Sequence, residues 1–241
     1  MRGATICARL SGLDGGGVQR FAARSGGLAP RGPARHSMPA MGDIAGIILA
    51  GGRARRMGGG DKVLRPLGRS TILDHVVALA RPQVAALALS ANGDPRRFER
   101  FGLPVLPDGV PDFPGPLAGL LAGLEWAAAL SGATHLASFA GDSPIFPADL
   151  VCRLVANAGS GAACAASGGR LHPVFGLWPV AARDELRRAL VVDGLRRVED
   201  WARRVGAVVV DFPAPAGRDP FFNVNRPEDL AAAETMLAGP A

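Results

Sequence analysis

Of the 27 basic side chains in this chain, 26 are arginines and one is a lysine, Lys62. Arginine evidently serves wherever positive charge alone is needed. A single lysine suggests a place for a compact ammonium on a flexible stem, which a planar guanidinium fork does not imitate. Lys62 closes the loop Leu49-Ala50-Gly51-Gly52-Arg53-Ala54-Arg55-Arg56-Met57-Gly58-Gly59-Gly60-Asp61-Lys62, directly after the apolar run 44–50. A strand followed by a glycine-rich loop and a lysine wraps backbone N–H groups and positive charge around phosphates. Composition could leave one lysine by chance, and the loop could be a solvated basic turn; its position after a buried strand favours the phosphate reading. The loop has neither the Gly-Lys-Ser/Thr ending of a Walker loop nor the dinucleotide fingerprint.

Three further groups could do chemistry with it. Asp142, in Ala140-Gly141-Asp142-Ser143-Pro144, ends an apolar run; a hard carboxylate there suits Mg²⁺ bridging to phosphate oxygens, or alternatively caps a turn. Residues 101–150 contain no Lys or Arg but hold Asp108, Asp112, Glu125, Asp142 and Asp149, so a cationic loop would face a carboxylate-bearing segment. Asp108 follows a short strand-like run, and Pro114-Gly115-Pro116-Leu117-Ala118-Gly119 is a rigid turn into a helix whose small residues admit a base or second substrate. In Phe222-Asn223-Val224-Asn225-Arg226-Pro227, the two asparagines alternate along extended backbone and share one side. They could read a polar heterocycle, hold a metal-bound water, or serve as plain turn and cap residues. His172, in Arg170-Leu171-His172-Pro173, reads more readily as a hydrogen-bonded strand residue than as a catalyst, and His75 as structural.

The elements that must position these groups are legible as alternating patterns. Strand-like runs fall at 44–50, 84–90, 103–106, 135–140, 161–166, 173–178 and 207–212, and helical patterns at 71–80, 117–130, 148–157, 181–190, 195–205 and 227–237. Thr71 and Asp74 have a capping-box spacing, and Pro227 suits a first helical turn. Repeated β-then-α units predict an α/β fold, a mostly parallel sheet covered on both faces, with ligands beyond the carboxyl ends of its strands.

The 241 residues and a hydrophobic fraction of 48% suit one α/β domain with a real core. No apolar stretch approaches a membrane span of roughly 20 residues. The net charge of +6 is uneven: residues 1–40 hold six arginines against one acid, Asp14, which leaves about +1 for the other 201 residues. Nucleic-acid binding is therefore not expected despite a pI near 10.7. Residues 1–42 lack apolar periodicity and the h-region of a secretory signal, so they are expected to be a disordered extension or to precede a true start at Met38 or Met41. Residues 43–241 are expected to form the single domain. Widely spaced Cys7, Cys152 and Cys164 are expected to form neither a metal pair nor a disulfide framework; Cys152 and Cys164 read as small buried hydrophobes, consistent with a reducing cytoplasm.

Four motifs in this order, Leu49–Lys62, Asp108 with Pro114–Gly119, Asp142-Ser143-Pro144, and Asn223–Glu228, resemble the molybdenum cofactor guanylyltransferases of the nucleotidyltransferase superfamily, over about residues 44–238. The resemblance implies a Rossmann-like three-layer α/β/α fold of the nucleotide-diphospho-sugar transferase type. It implies transfer of GMP from MgGTP to molybdenum-bearing molybdopterin with release of pyrophosphate, in the cytoplasm, with molybdoenzymes or cofactor-delivery proteins as further partners. Carried over, Leu49, Ala50, Gly51 and Gly52 line the nucleotide, Lys62 neutralises its phosphates, Asp108 contacts it and Asp142 holds Mg²⁺; Arg56, Asn223 and Asn225 lie on the pterin side. Relatives can show Asn-Ala-Asn where this chain has Ser90-Ala91-Asn92, so a contact at position 90 would come from a hydroxyl or the backbone. Alternatives are a cytidylyltransferase acting on the same cofactor, a sugar-1-phosphate nucleotidyltransferase, and a GTP-binding regulator without turnover. Gly52 preceded by Gly51 leans toward guanine. An attacking phosphate is already anionic, so positioning and charge neutralisation suffice without a general base.

Overall fold

A computed structural model describes residues 18–20, 39–51, 61–110, 115–214 and 218–238. Strands are β1 (Val18–Arg20), β2 (Ile44–Leu49), β3 (Pro66–Leu67), β4 (Ser70–Thr71), β5 (Ala86–Ser90), β6 (Val105–Leu106), β7 (His135–Ala140), β8 (Ala163–Ser167), β9 (Arg170–Pro179) and β10 (Val208–Asp211). Helices are α1 (Ile72–Ala80), α2 (Pro116–Ala128), α3 (Leu150–Ala158), α4 (Arg183–Val191), α5 (Val198–Arg204) and α6 (Pro227–Ala238). The main sheet has the order β1-β10-β8-β9-β7-β2-β5-β6, and β3 and β4 form a separate small hairpin.

Period-two alternation in β2 divides the core. Ile44 and Ile48 pack with Ile72, Val76, Leu150 and Leu154 on one face; Ala45 and Ile47 pack with Leu117, Leu121, Leu186 and Trp201 on the other. Helices α1 and α3 therefore cover one side of the sheet, and α2, α4 and α5 the other, giving the expected three layers. The capping box predicted for α1 is present: Thr71 N donates to Asp74 Oδ2 at 2.8 Å and Asp74 N to Thr71 Oγ1 at 3.4 Å. Burial works against the Asp74 carboxylate, but hydrogen bonds from Thr71 and Arg100 outweigh it and hold its pKa below the usual value. The thiol of Cys164, buried in β8, is pushed up to about 12, by desolvation first and the nearby Glu199 charge second.

The sheet is mostly parallel, as expected, and two features add to that picture. One is β9, which lies between β7 and β8 and is antiparallel to both. Gly168 and Gly169, at φ +55° and +78°, turn β8 directly into β9, the two-residue hairpin geometry that glycine permits and that leaves no room for a crossover helix. The other is at the sheet edge, where Val18–Arg20 pairs antiparallel with Val208–Val210. That tripeptide comes from the segment expected to stand outside the fold; a short backbone ladder needs no apolar periodicity.

Candidate active site

Strand order decides where the site falls. To one side of β2 the sheet continues to β5, and to the other side it continues to β7, so β2 and β7 flank the point at which the chain's order reverses. In such sheets the carboxyl ends at the reversal leave a crevice. Leu49, Ala50 and Gly51 leave β2 there, and Ala140 and Asp142 leave β7 beside them; all five line a cavity of about 380 Å³. Gly141 N donates to Leu49 O at 3.0 Å, locking the two exits together.

Lys62 heads a single 3-10 turn, Lys62–Leu64, and its neighbour Val63 is buried, which anchors the turn. Its Nζ donates to Asp142 Oδ2 at 2.6 Å and to Asn225 Oδ1 at 2.7 Å. Asn223 lies against the same carboxylate; with its amide nitrogen turned inward, it donates to Asp142 Oδ1 at 2.5 Å and to the Asp142 carbonyl at 3.0 Å. Val224 N also donates to that carbonyl at 2.9 Å. The shared side predicted for the two asparagines is thus realised around one lysine–aspartate pair. The asparagine strip is itself fixed from α6, where Asp229 accepts the main-chain N–H groups of Asn225 and Arg226 at 2.6 and 2.8 Å.

On the β5 side of the cavity lie Ser90, Asp108, Gly115, Pro116 and Gly119. Gly119 sits on the buried face of α2, and a Cβ there would come within 2.3 Å of Ser90 Oγ, so only glycine lets the helix approach this wall. Ser90 Oγ lies 3.5 Å from Asp108 Oδ1. Asp108 is held by Asn92, whose Nδ2 donates to Oδ2 at 2.7 Å while Asp108 N donates to Asn92 Oδ1 at 2.9 Å. The reach of the Asn92 amide to Asp108, 16 residues on, has no sequence signal.

The β9 side is lined by Arg170 through Phe175, with Phe221 and Asn223. His172 is buried, its ring 4.7 Å from that of Phe221 and its Nε2 3.5 Å from Asp219 Oδ1. Burial lowers its pKa, the Asp219 charge opposes this, and Arg170 adds to the lowering. His172 faces the cavity, whereas His75 hydrogen-bonds Leu67 O from α1, as a structural histidine does. Asp219 and Phe221 were not foreseen; nothing in their spacing marks them. Gly52, Arg53, Arg55, Arg56 and Pro114 lie outside the described residues, so the structure speaks only to the two ends of the glycine-rich loop.

A divalent cation fits the oxygen chemistry that Asp142 brings to the lining of this cavity. Among the described residues, no group of three or more His, Cys, Asp and Glu side chains could cage a metal. Asp142 instead offers a single hard carboxylate at the cavity wall, the kind of site in which Mg²⁺ completes its shell with substrate oxygens and water. No helix among the described residues is long and apolar enough to cross a membrane.

The α/β sheet, with a lysine and a carboxylate meeting at its reversal point on the wall of a cavity, together with the relatives that follow, places the protein among the nucleotidyltransferases. Residues 46–206 match the MobA-like NTP transferase domain, and the chain belongs to that family. A molybdenum cofactor guanylyltransferase of Mesorhizobium japonicum is 56% identical over 201 residues, covering 81% of this chain and 96% of that one. One from Bradyrhizobium sp. is 50% identical over 199 residues, covering 81% and 93%. The crystal structure of molybdopterin-guanine dinucleotide biosynthesis protein A from Archaeoglobus fulgidus shares the fold, with a TM-score of 0.62 at 23% identity, covering 82% of this chain and all of that one. Nucleotidyltransferases of this kind generally use a divalent metal.

Proposed function

We propose that the protein transfers GMP from GTP to a phosphate of molybdenum-bearing molybdopterin, releasing pyrophosphate and forming the guanine dinucleotide cofactor. The observation that carries this reading is the Lys62 ammonium fixed between Asp142 and Asn225 at the wall of a cavity that the exit of β2, Ser90 and Asp108 also line. Identities of 56% and 50% to guanylyltransferases over nearly their whole lengths support the guanine and molybdopterin parts.

The acceptor phosphate oxygen forms a bond to the α-phosphorus of GTP while the bond from that phosphorus to the bridging oxygen breaks, and pyrophosphate leaves with the electron pair. Both partners are anions, so the protein must hold them in line and neutralise charge. Leu49, Ala50 and Gly51, at the exit of β2, line the nucleotide with Ser90 and Asp108, and Lys62 meets its phosphates. Mg²⁺, held by Asp142, would supply further positive charge at the phosphate oxygens. Asn223 and Asn225, together with Arg56, are assigned to the pterin. No step requires His172 as a base. The reaction fits a cytoplasmic protein acting on two small-molecule substrates, handing its product to molybdoenzymes or cofactor-delivery proteins, with no nucleic acid or membrane involved.

The test is pyrophosphate release with molybdopterin, Mg²⁺ and each of GTP, CTP, ATP and UTP in turn. Release with GTP alone is expected. Preference for CTP would make the protein a cytidylyltransferase on the same cofactor. Release with GTP and a sugar 1-phosphate instead of molybdopterin would reassign the acceptor. Tight GTP binding with no release under any condition would make it a GTP-binding regulator.

A further inference from the structure

We propose that Arg97 is a positioning residue, fixing the Lys62 turn against the Asp108 wall so that the two sides of the nucleotide half of the cavity keep one spacing. Arg97 stands on the 3-10 segment Pro95–Phe101, held down by the buried rings of Phe98 and Phe101. Its guanidinium reaches in two directions. Nε lies 3.0 Å from Asp61 Oδ2, and Nη2 donates to the main-chain oxygen of Asn92. Gly93 lies beneath it: a Cβ there would stand 3.5 Å from the guanidinium.

Each partner continues into the site. Asp61 directly precedes Lys62 and caps its turn, with Leu64 N donating to Asp61 O at 3.1 Å and Arg65 N to Lys62 O at 3.2 Å. Asn92 holds Asp108 through both atoms of its amide, at 2.7 and 2.9 Å. Arg97 is therefore the link between the end of the glycine-rich loop and the β5–β6 wall, although it does not line the cavity. A planar fork suits this task, since its donors diverge at fixed angles toward a carboxylate and a carbonyl; a lysine could serve one partner at a time. The side chains of Arg97 and Asp61 are 33% and 24% exposed, a setting in which an ion pair adds little to global stability. What the pair sets is geometry.

The experiment uses the full-length chain with Arg97→Met, which keeps an aliphatic stem against Phe98, and with Arg97→Lys, Asp61→Asn and the Arg97→Met/Asp61→Asn double variant. Amide hydrogen exchange of the unliganded protein reads the Leu64 and Arg65 N–H groups. Arg97→Met is expected to speed exchange there by about 10-fold, the size of one coupled contact, with no change in the β2 and β7 peptides. GTP affinity by calorimetry, which rests on the nucleotide reading above, is expected to fall by about 10-fold. Arg97→Lys should recover part of each effect, and the double variant should be no worse than Arg97→Met alone. Wild-type exchange at Leu64 and Arg65 in Arg97→Met would overturn the proposal. So would faster exchange spread evenly over the whole sheet, which marks a merely structural residue, or fully additive losses in the double variant. If the wild-type chain itself bound no GTP, the nucleotide reading would fail while the exchange data still decided the role of Arg97.

Discussion

Replacing Lys62 by arginine keeps the charge and changes only its shape, so it isolates what the ammonium contributes. The Lys62 side chain is 11% exposed and makes two short contacts, at 2.6 Å to Asp142 and 2.7 Å to Asn225. An ammonium has three N–H donors, so the third is left for the phosphates. A guanidinium at this position must fit additional heavy atoms between Asp142 and Asn225, and overpacking of that kind costs about 1–3 kcal/mol. Its plane can satisfy Asp142 or point into the cavity, but not with the same atom. Losing one charge-assisted contact to a phosphate costs about 1.5–3 kcal/mol, or about 10- to 150-fold in binding or rate. We expect Lys62→Arg to lose on the order of 10²-fold in turnover, and Lys62→Met at least as much, with circular dichroism unchanged in both. The assay is initial-rate pyrophosphate release with GTP and molybdopterin, with GTP affinity measured by calorimetry on the same preparations. Retention of most of the activity by Lys62→Arg would refute the reasoning and pass the phosphate role to Arg53, Arg55 or Arg56.

Asp142→Asn keeps the shape that Lys62 and Asn223 surround but removes the charge, so metal-dependent turnover is expected to vanish with the melting temperature little changed; near wild-type rates on Mg²⁺ titration would reduce Asp142 to a turn residue. Gly176→Ala places a Cβ 2.4 Å from the buried Trp178 ring, which cannot retreat because its Nε1 donates to Ser138 Oγ at 2.9 Å. A loss of about 3 kcal/mol is expected in urea unfolding, and a variant as stable as the wild type would show that this contact is misjudged. Burial lowers the pKa of both His135 and His172. The unfolded chain then binds protons first, so this contribution is fully present well above about pH 6.5 and is lost as the pH drops through that value toward the lower folded pKa. Urea midpoints at pH 7.5, 6.5 and 5.5 should decline in that order and less steeply in His135→Gln; an identical decline in the variant would remove His135 as a cause.

Much of this protein was written in local pattern. Ile44–Leu49 and His135–Ala140 appear as strands within a residue of where apolar runs predict them, and the Thr71–Asp74 cap and Pro227 start their helices as expected. These features depend on neighbours a few residues apart, which a sequence displays directly. Lys62, Asp142 and the two asparagines stand out as candidate chemistry for the same reason. Charge places the cationic loop opposite the carboxylate-bearing segment, but the contacts themselves are not written there. Lys62 meets Asp142 across 80 residues and Asn225 across 163, and only the reversal of strand order at β2 brings those segments to one crevice. The tertiary structure likewise decided that β9 lies between β7 and β8: the Gly168-Gly169 turn makes it antiparallel to β8, but nothing along the chain makes β7 its other neighbour. It also recruited Asn92, Asp219 and Phe221, whose roles arise from contacts that no spacing along the chain encodes. Sequence fixes what a residue can do; which groups it does it with depends on the order in which the strands are laid side by side.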